Sequence, residues 1–160
     1  MAKKNAKPTA RSPRLANKKA RYQYEILERI EAGIALKGTE VKSLRLGGAS
    51  LDEAFARIDK GQVTLHNFQI LPYAQGNRFN HDPKRIKSLL LHRREIRKLA
   101  VGVQIKGQTL IALCVYFNDK GLAKVELALA RGKKLYDKRQ DQRKRQDDRD
   151  MARAISKRRY

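Results

Sequence analysis

Tyr22, Tyr24, Ile26 and Ile30 fall on even positions of RYQYEILERI, residues 21–30, with polar side chains between them. A period of two is that of a half-buried strand, with a helix as the second choice. Ala32-Gly33 then reads as a turn and GIALKG, 33–38, as a short second strand. Thr39 stands where it would cap a brief helix running through Val41 and Leu44 to a stop at Gly47-Gly48. Residues 53–70 read as a hairpin of EAFARI and QVTLHNFQI, turning at DKG, where Asp59 favours the turn and Gly61 takes a positive φ.

A polar loop, YAQGNRFNHDPKR, separates this hairpin from the apolar SLLL at 88–91. Beyond it Ile96, Leu99, Ala100 and Val103 recur at i, i+3, i+4 and i+7 between Arg93, Arg94, Arg97 and Lys98, the pattern of an amphipathic helix. The clearest hairpin is TLIALCVYF, NDKG and LAKVELALA, with Val125, Leu127 and Leu129 on one face and Lys124 and Glu126 on the other. About six short strands with two or three helices predict a mainly β fold. So many antiparallel strands close most economically into a small OB-type β-barrel, a surface that habitually serves nucleic acid.

Charge changes the picture by its placement. The 160 residues carry a formal net charge of +22. Residues 1–21 hold eight Lys or Arg and no acid, and residues 131–160 hold thirteen against five acids. The middle is an ordinary globular composition between two cationic extensions, and self-repulsion on this scale points to a polyanionic partner. The expected organisation is a flexible basic arm at 1–16, a barrel domain at 17–134 and a basic tail at 135–160 that is disordered or helical.

Chemistry narrows the function by its absence. The one cysteine, Cys114, sits in an apolar strand as a small core residue, and a chain without a cysteine pair suits a reducing cytosol. No apolar run is long enough to span a bilayer as a helix, so a cytoplasmic protein without membrane attachment is expected. His66, His81 and His92 lack the spacing of a zinc site, and the glycines match no nucleotide fingerprint, so no metal, cofactor or enzymatic activity is expected. His81-Asp82, with Glu31, is the one arrangement a nuclease would use, and an Asp-Pro turn accounts for the pair as well.

Three basic groups remain: NKKAR at 17–21, HRREIRK at 92–98 and RGKKLYDKR at 131–139. The middle one reads as the solvated face of its helix. The other two flank the barrel, where their cations can clamp phosphates while Tyr22 and Tyr24 serve either as ring faces for unpaired bases or as packing residues. Charge alone does not separate RNA from DNA.

Three words, NKKARYQYEILERIEAGIALKGTEVKSLRLG, HDPKRIKSLLLHRREI and YFNDKGLAKVELALARGKKLYDKR, closely resemble the SmpB family of bacterial trans-translation, from about Asn17 to Arg139. The resemblance implies a non-enzymatic adaptor that binds the tRNA-like domain of transfer-messenger RNA. On that RNA-facing surface it implies Asn17, Lys18, Lys19, Arg21, Tyr24, Glu31, Leu90, Lys124, Gly132, Lys133 and Lys134. It further implies a stalled 70S ribosome as partner, elongation factor Tu in the delivery complex and a monomeric chain. The tail would enter the empty mRNA channel near the decoding centre, beginning with Asp137, Lys138 and Arg139 and continuing through Arg143, Lys144, Arg145 and Arg149. Met151 and Ile155, four apart, would share a helix face, as would Arg149 and Arg153, with Lys157 and Arg158 beyond. Free in water this tail has too little apolar surface to offset its ordering entropy and should be largely disordered. An OB-fold ribosomal or ribosome-assembly protein, or an RNA nuclease, is the alternative.

Overall fold

A computed structural model describes residues 14–157. In chain order it contains β1 (Leu15–Ala16), α1 (Ala20–Gln23), β2 (Tyr24–Ile34), α2 (Gly38–Arg45), β3 (Ala49–Ser50), β4 (Phe55–Asp59) and β5 (Gln62–His66). There follow β6 (Gln69–Ile70), a 3₁₀ turn (Asn77–Phe79), β7 (Lys87–Leu90), α3 (Arg93–Gln104), β8 (Gln108–Phe117), β9 (Ala123–Gly132) and α4 (Leu135–Lys157). Hydrogen-bonded neighbours run β8, β4, β5, β7, β2, β9, and β9 pairs again with β8, so the antiparallel ring closes. β1 adds to β8 beside β4, and β3 pairs with β6 apart from the ring. This is the mainly β, closed arrangement that the short alternating strands predicted.

The β4–β5 turn is the expected one, with Lys60 (φ 47°) and Gly61 (φ 77°) both left-handed, the two-residue turn that suits the twist of a hairpin. β2 differs from expectation. It runs unbroken through Ala32-Gly33, where Gly33 pairs with Leu90 on one side and Lys124 on the other. A Cβ on Gly33 would stand 3.2 Å from that of Leu90, so this glycine marks a close approach rather than a turn.

A bulge between Ile26 and Glu28 divides the even positions of β2 between two clusters. Tyr24 and Ile26 pack with Ala20, Ile111, Leu113, Ala128 and Ala130, whereas Ile30, Ala32 and Ile34 join Leu65, Leu127 and Leu129 in the main core. A matching bulge between Ala112 and Cys114 keeps β8 in step. Tyr22 is not in a strand but in α1, which rests against the smaller cluster through Ala20.

In α3, Leu99 and Gly102 are buried and Ile96 packs against the core, but Val103, expected on the apolar face, is exposed. Gly102 replaces it as the inward position because Leu129 lies close. A Cβ there would meet Leu129 Cδ2 at 2.5 Å. Gly102→Ala should therefore destabilise the fold by about 1–2 kcal/mol despite the better helix propensity of alanine, as overpacked cores do. Thermal unfolding checks this.

Polar pins hold the loop between β6 and β7. α2 is capped by Lys37, whose N–H donates to Glu40 Oε2 at 2.6 Å, and not by Thr39. Thr39 Oγ1 instead lies 3.0 Å from His81 Nδ1, while His81 Nε2 donates to the Ile70 carbonyl at 3.1 Å. Lys87, fully buried, donates to the Phe68 carbonyl at 2.5 Å, and the buried Glu40 takes both Arg85 Nε and Nη2 at 3.1 and 2.8 Å.

The tail is helical as α4, whose described side chains are all exposed except that of Lys138, which is half-buried. No helix among the described residues is long and apolar enough to cross a membrane.

Candidate nucleic-acid interface

Two segments 112 residues apart in sequence meet at one end of the barrel. The Lys133 N–H donates to the Gln23 carbonyl at 2.9 Å and its ammonium to the Arg21 carbonyl at 3.1 Å, while Tyr24 stands in register with Gly132. Lys18, Lys19, Arg21, Gly132 and Lys134 are exposed around this seam, with Lys19 3.7 Å from Asp52. Asn17 has a different task. It is buried, its amide donates to the Leu51 and Ala112 carbonyls at 2.9 and 3.3 Å, and its Oδ1 accepts the Ala20 N–H at 3.0 Å, so it fixes where α1 starts. Tyr24 is half-buried against the smaller cluster, and Tyr22 borders a cleft with Gln142, Arg143, Gln146 and Arg149 of α4.

A second group gathers Glu31, Leu90 and Lys124 around a groove of about 760 Å³ that also touches Arg29, His92 and Glu95. Alternation along β7 turns Lys87 and Leu89 inward and leaves Leu90 63% exposed, an aliphatic surface for the flat face of a base. Glu31 accepts a hydrogen bond from the Tyr116 hydroxyl and lies 3.1 Å from Lys124 Nζ. These partners, the Tyr116 hydroxyl first, hold the Glu31 carboxyl below its ordinary range, and the same contact pushes the Tyr116 hydroxyl up to about 12.

Directly across from Glu31 in register is Glu126, which binds Arg14 at 3.2 Å and Arg29 at 3.5 Å and accepts the Cys114 thiol at 3.1 Å. Burial first, then the Glu126 carboxylate, pushes the Cys114 thiol up and away from reactivity. Cys114 is buried as expected, yet hydrogen-bonded rather than simply packed. The result is a fixed lattice of cations that attract phosphates and carboxylates that accept base N–H or ribose hydroxyl donors.

His81 and Asp82 are each engaged in structural contacts. Both His81 ring nitrogens are occupied by Thr39 and Ile70, and Asp82 accepts the Lys84 N–H at 2.9 Å within a turn. Among the described residues no group of three or more His, Cys, Asp or Glu is placed to hold a metal ion.

Asp137, Lys138, Arg139, Arg143, Lys144, Arg149 and Arg153 lie along α4, where Met151 and Ile155 are 60% and 62% exposed one turn apart. Arg145 and Lys157 are α4 positions as well, and Arg158 lies outside the described residues. Sequence reasoning missed Tyr116, Arg14 and Arg29. Only for Tyr116 was there a signal, its place opposite Lys124 across the last hairpin.

The family model for SmpB protein matches residues 14–157. The SsrA-binding protein of Moorella thermoacetica is 56% identical over 142 residues, 89% of this chain and 92% of that protein. The SsrA-binding protein of Beijerinckia indica is 52% identical over 150 residues, 93% of this chain and 95% of its own. A solved chain described under "tmRNA-SmpB: a journey to the center of the bacterial ribosome" matches with a TM-score of 0.66 at 54% identity, over 77% of this chain and 86% of that one.

Proposed function

The chain belongs to the SmpB family, and on that premise we propose that it is the RNA-binding adaptor of trans-translation. It binds the tRNA-like domain of transfer-messenger RNA with its barrel and brings that RNA to stalled 70S ribosomes. Its tail then occupies the mRNA channel that a missing message leaves open, so that the nascent chain is tagged and the ribosome released. The observation that carries this reading is the seam that locks Lys133 to Arg21 and Gln23, because it gathers two separate basic segments at one end of the barrel.

Division of labour follows the chain: a basic arm at 1–16, the RNA-binding barrel at 17–134 and the ribosome-directed tail at 135–160. Elongation factor Tu joins in the delivery complex, the chain acts as a monomer in the cytoplasm where ribosomes are, and it catalyses no reaction itself. The structural duties of His81 and Asp82 support the last point. Asn17 contributes by holding α1 in place rather than by touching RNA.

Competition binding tests the reading. The chain should prefer the tRNA-like domain to ribosomal RNA helices of equal length, and equal affinity overturns the proposal. Changing Lys133 and Lys134 to Ala should shallow the log–log salt dependence of that binding by roughly 1–2 units, since each phosphate contact carries about 0.7–0.9. A variant with the parent slope removes these lysines from the interface.

A further inference from the structure

Among the described residues, Arg93, Arg94 and Arg97 on the outer side of α3 are exposed and have neither an ion-pair nor a hydrogen-bond partner. The nearby carboxylates are otherwise occupied: Glu95 accepts the His92 N–H at 2.8 Å and Glu28 pairs with Lys98. Nothing in helix physics favours this placement. Arg93 and Arg94 open the helix, where the macrodipole is positive and disfavours cations, and Arg93/Arg97 and Arg94/Lys98 are like-charge pairs at i, i+4. The one acid within the run, Glu95, is taken up by the helix cap and leaves these three charges uncompensated.

We infer that the outer face of α3 binds backbone phosphates, extending the groove at Leu90 into a longer track for the same structured RNA. Only Leu91 and His92 separate β7 from α3, and the capping His92 and Glu95 of the first turn already border the groove. The three arginines do not line the groove themselves; they occupy the exposed side of the same helix, next in line beyond its His92–Glu95 border. Guanidinium forks match phosphate oxygens two at a time, which a solvated lysine face does not. The partner is identified by charge complementarity, a rigid polyanion continuous with the groove's occupant, so the inference rests on the tRNA-like RNA reading above. Val101 on the helix and Ile105 just past its end, 65% and 52% exposed, would mark a protein partner instead.

The test uses the whole chain carrying Arg93→Gln, Arg94→Gln and Arg97→Gln, and measures binding to the tRNA-like RNA across a salt series. Melting should be unchanged or raised, because like charges leave the helix start. The expected salt slope is shallower by roughly 2 units, for three contacts at about 0.7 each. The corresponding triple Arg→Lys chain should keep most of the slope, and Val101→Ser with Ile105→Ser should leave it intact. A Gln variant with the parent slope overturns the inference, as does one that keeps the slope but loses delivery to ribosomes, an outcome that assigns the face to a protein. A wild-type chain without preference for the tRNA-like RNA removes the underlying reading instead, and the two failures are read in different samples.

Discussion

Ending the chain after Lys134 should abolish tagging of nascent chains on stalled ribosomes and leave binding to the tRNA-like RNA within about tenfold of the intact protein, the scale of a few lost exposed cations. The described α4 side chains bury almost nothing, so their loss opens no cavity in the barrel. The seam made by Lys133 with Arg21 and Gln23 lies before the cut and survives it. What disappears is a 23-residue cationic rod, roughly 35 Å long at 1.5 Å per residue, long enough to probe a channel. A helix of such composition without a packed face is marginal in water, so circular dichroism of the isolated tail should show little helix until polyanionic walls surround it. Tagging that persists after truncation would refute the tail's role, whatever the RNA affinity.

The largest loss of stability should come from Glu40→Gln. Its carboxylate is fully buried, binds Arg85 twice and accepts the Lys37 N–H, with the buried Lys87 ammonium adding attraction. Removing one member of a buried charge set leaves the others uncompensated, a cost of about 3 kcal/mol, or roughly 6–12 °C of melting temperature for a chain of this size. A loss under about 1 kcal/mol would mean that water reaches the pair. Acid adds a second readout. Burial raises the Glu40 carboxyl, but Arg85 and the Lys37 N–H outweigh burial and hold it below its ordinary 4.5. Its contribution is therefore complete above that value and fades as pH falls through the lower, folded-state value. The Gln variant should have a flatter acid limb in a pH series of melting temperatures.

Where local pattern and tertiary need coincide, the fold was legible. The hairpin turn at 59–62 declares itself through one glycine between alternating segments, and α3 through its spacing. The errors cluster where one residue serves two masters. Ala32-Gly33 has the composition of a turn, and only Leu90, more than fifty residues on, explains why the glycine lies inside a strand. The bulge in β2 reassigns Tyr24 and Ile26 to another cluster without altering their spacing, which no period count detects.

The placement of the candidate interface residues was legible in part. The basic words around 17–21 and 132–134 stood out, but the structural role of Asn17 did not, because a buried amide that organises a helix start looks the same in sequence as an exposed one. Lys87 is the converse, a cation in a basic stretch that never meets solvent. The Tyr116–Glu31 contact was invisible because it joins β8 to β2 across β9.

The junction of Lys133 with residues 21 and 23 also has a mechanical meaning. Lys133, between the end of β9 and the start of α4, is bonded to Arg21 and Gln23 at the entry to β2, so a sideways push on the rod is shared at once between those two strands of the ring. The helix root and α1 thus hang on the same paired ends of β2 and β9, and load on either is carried by the hydrogen bonds that join those strands.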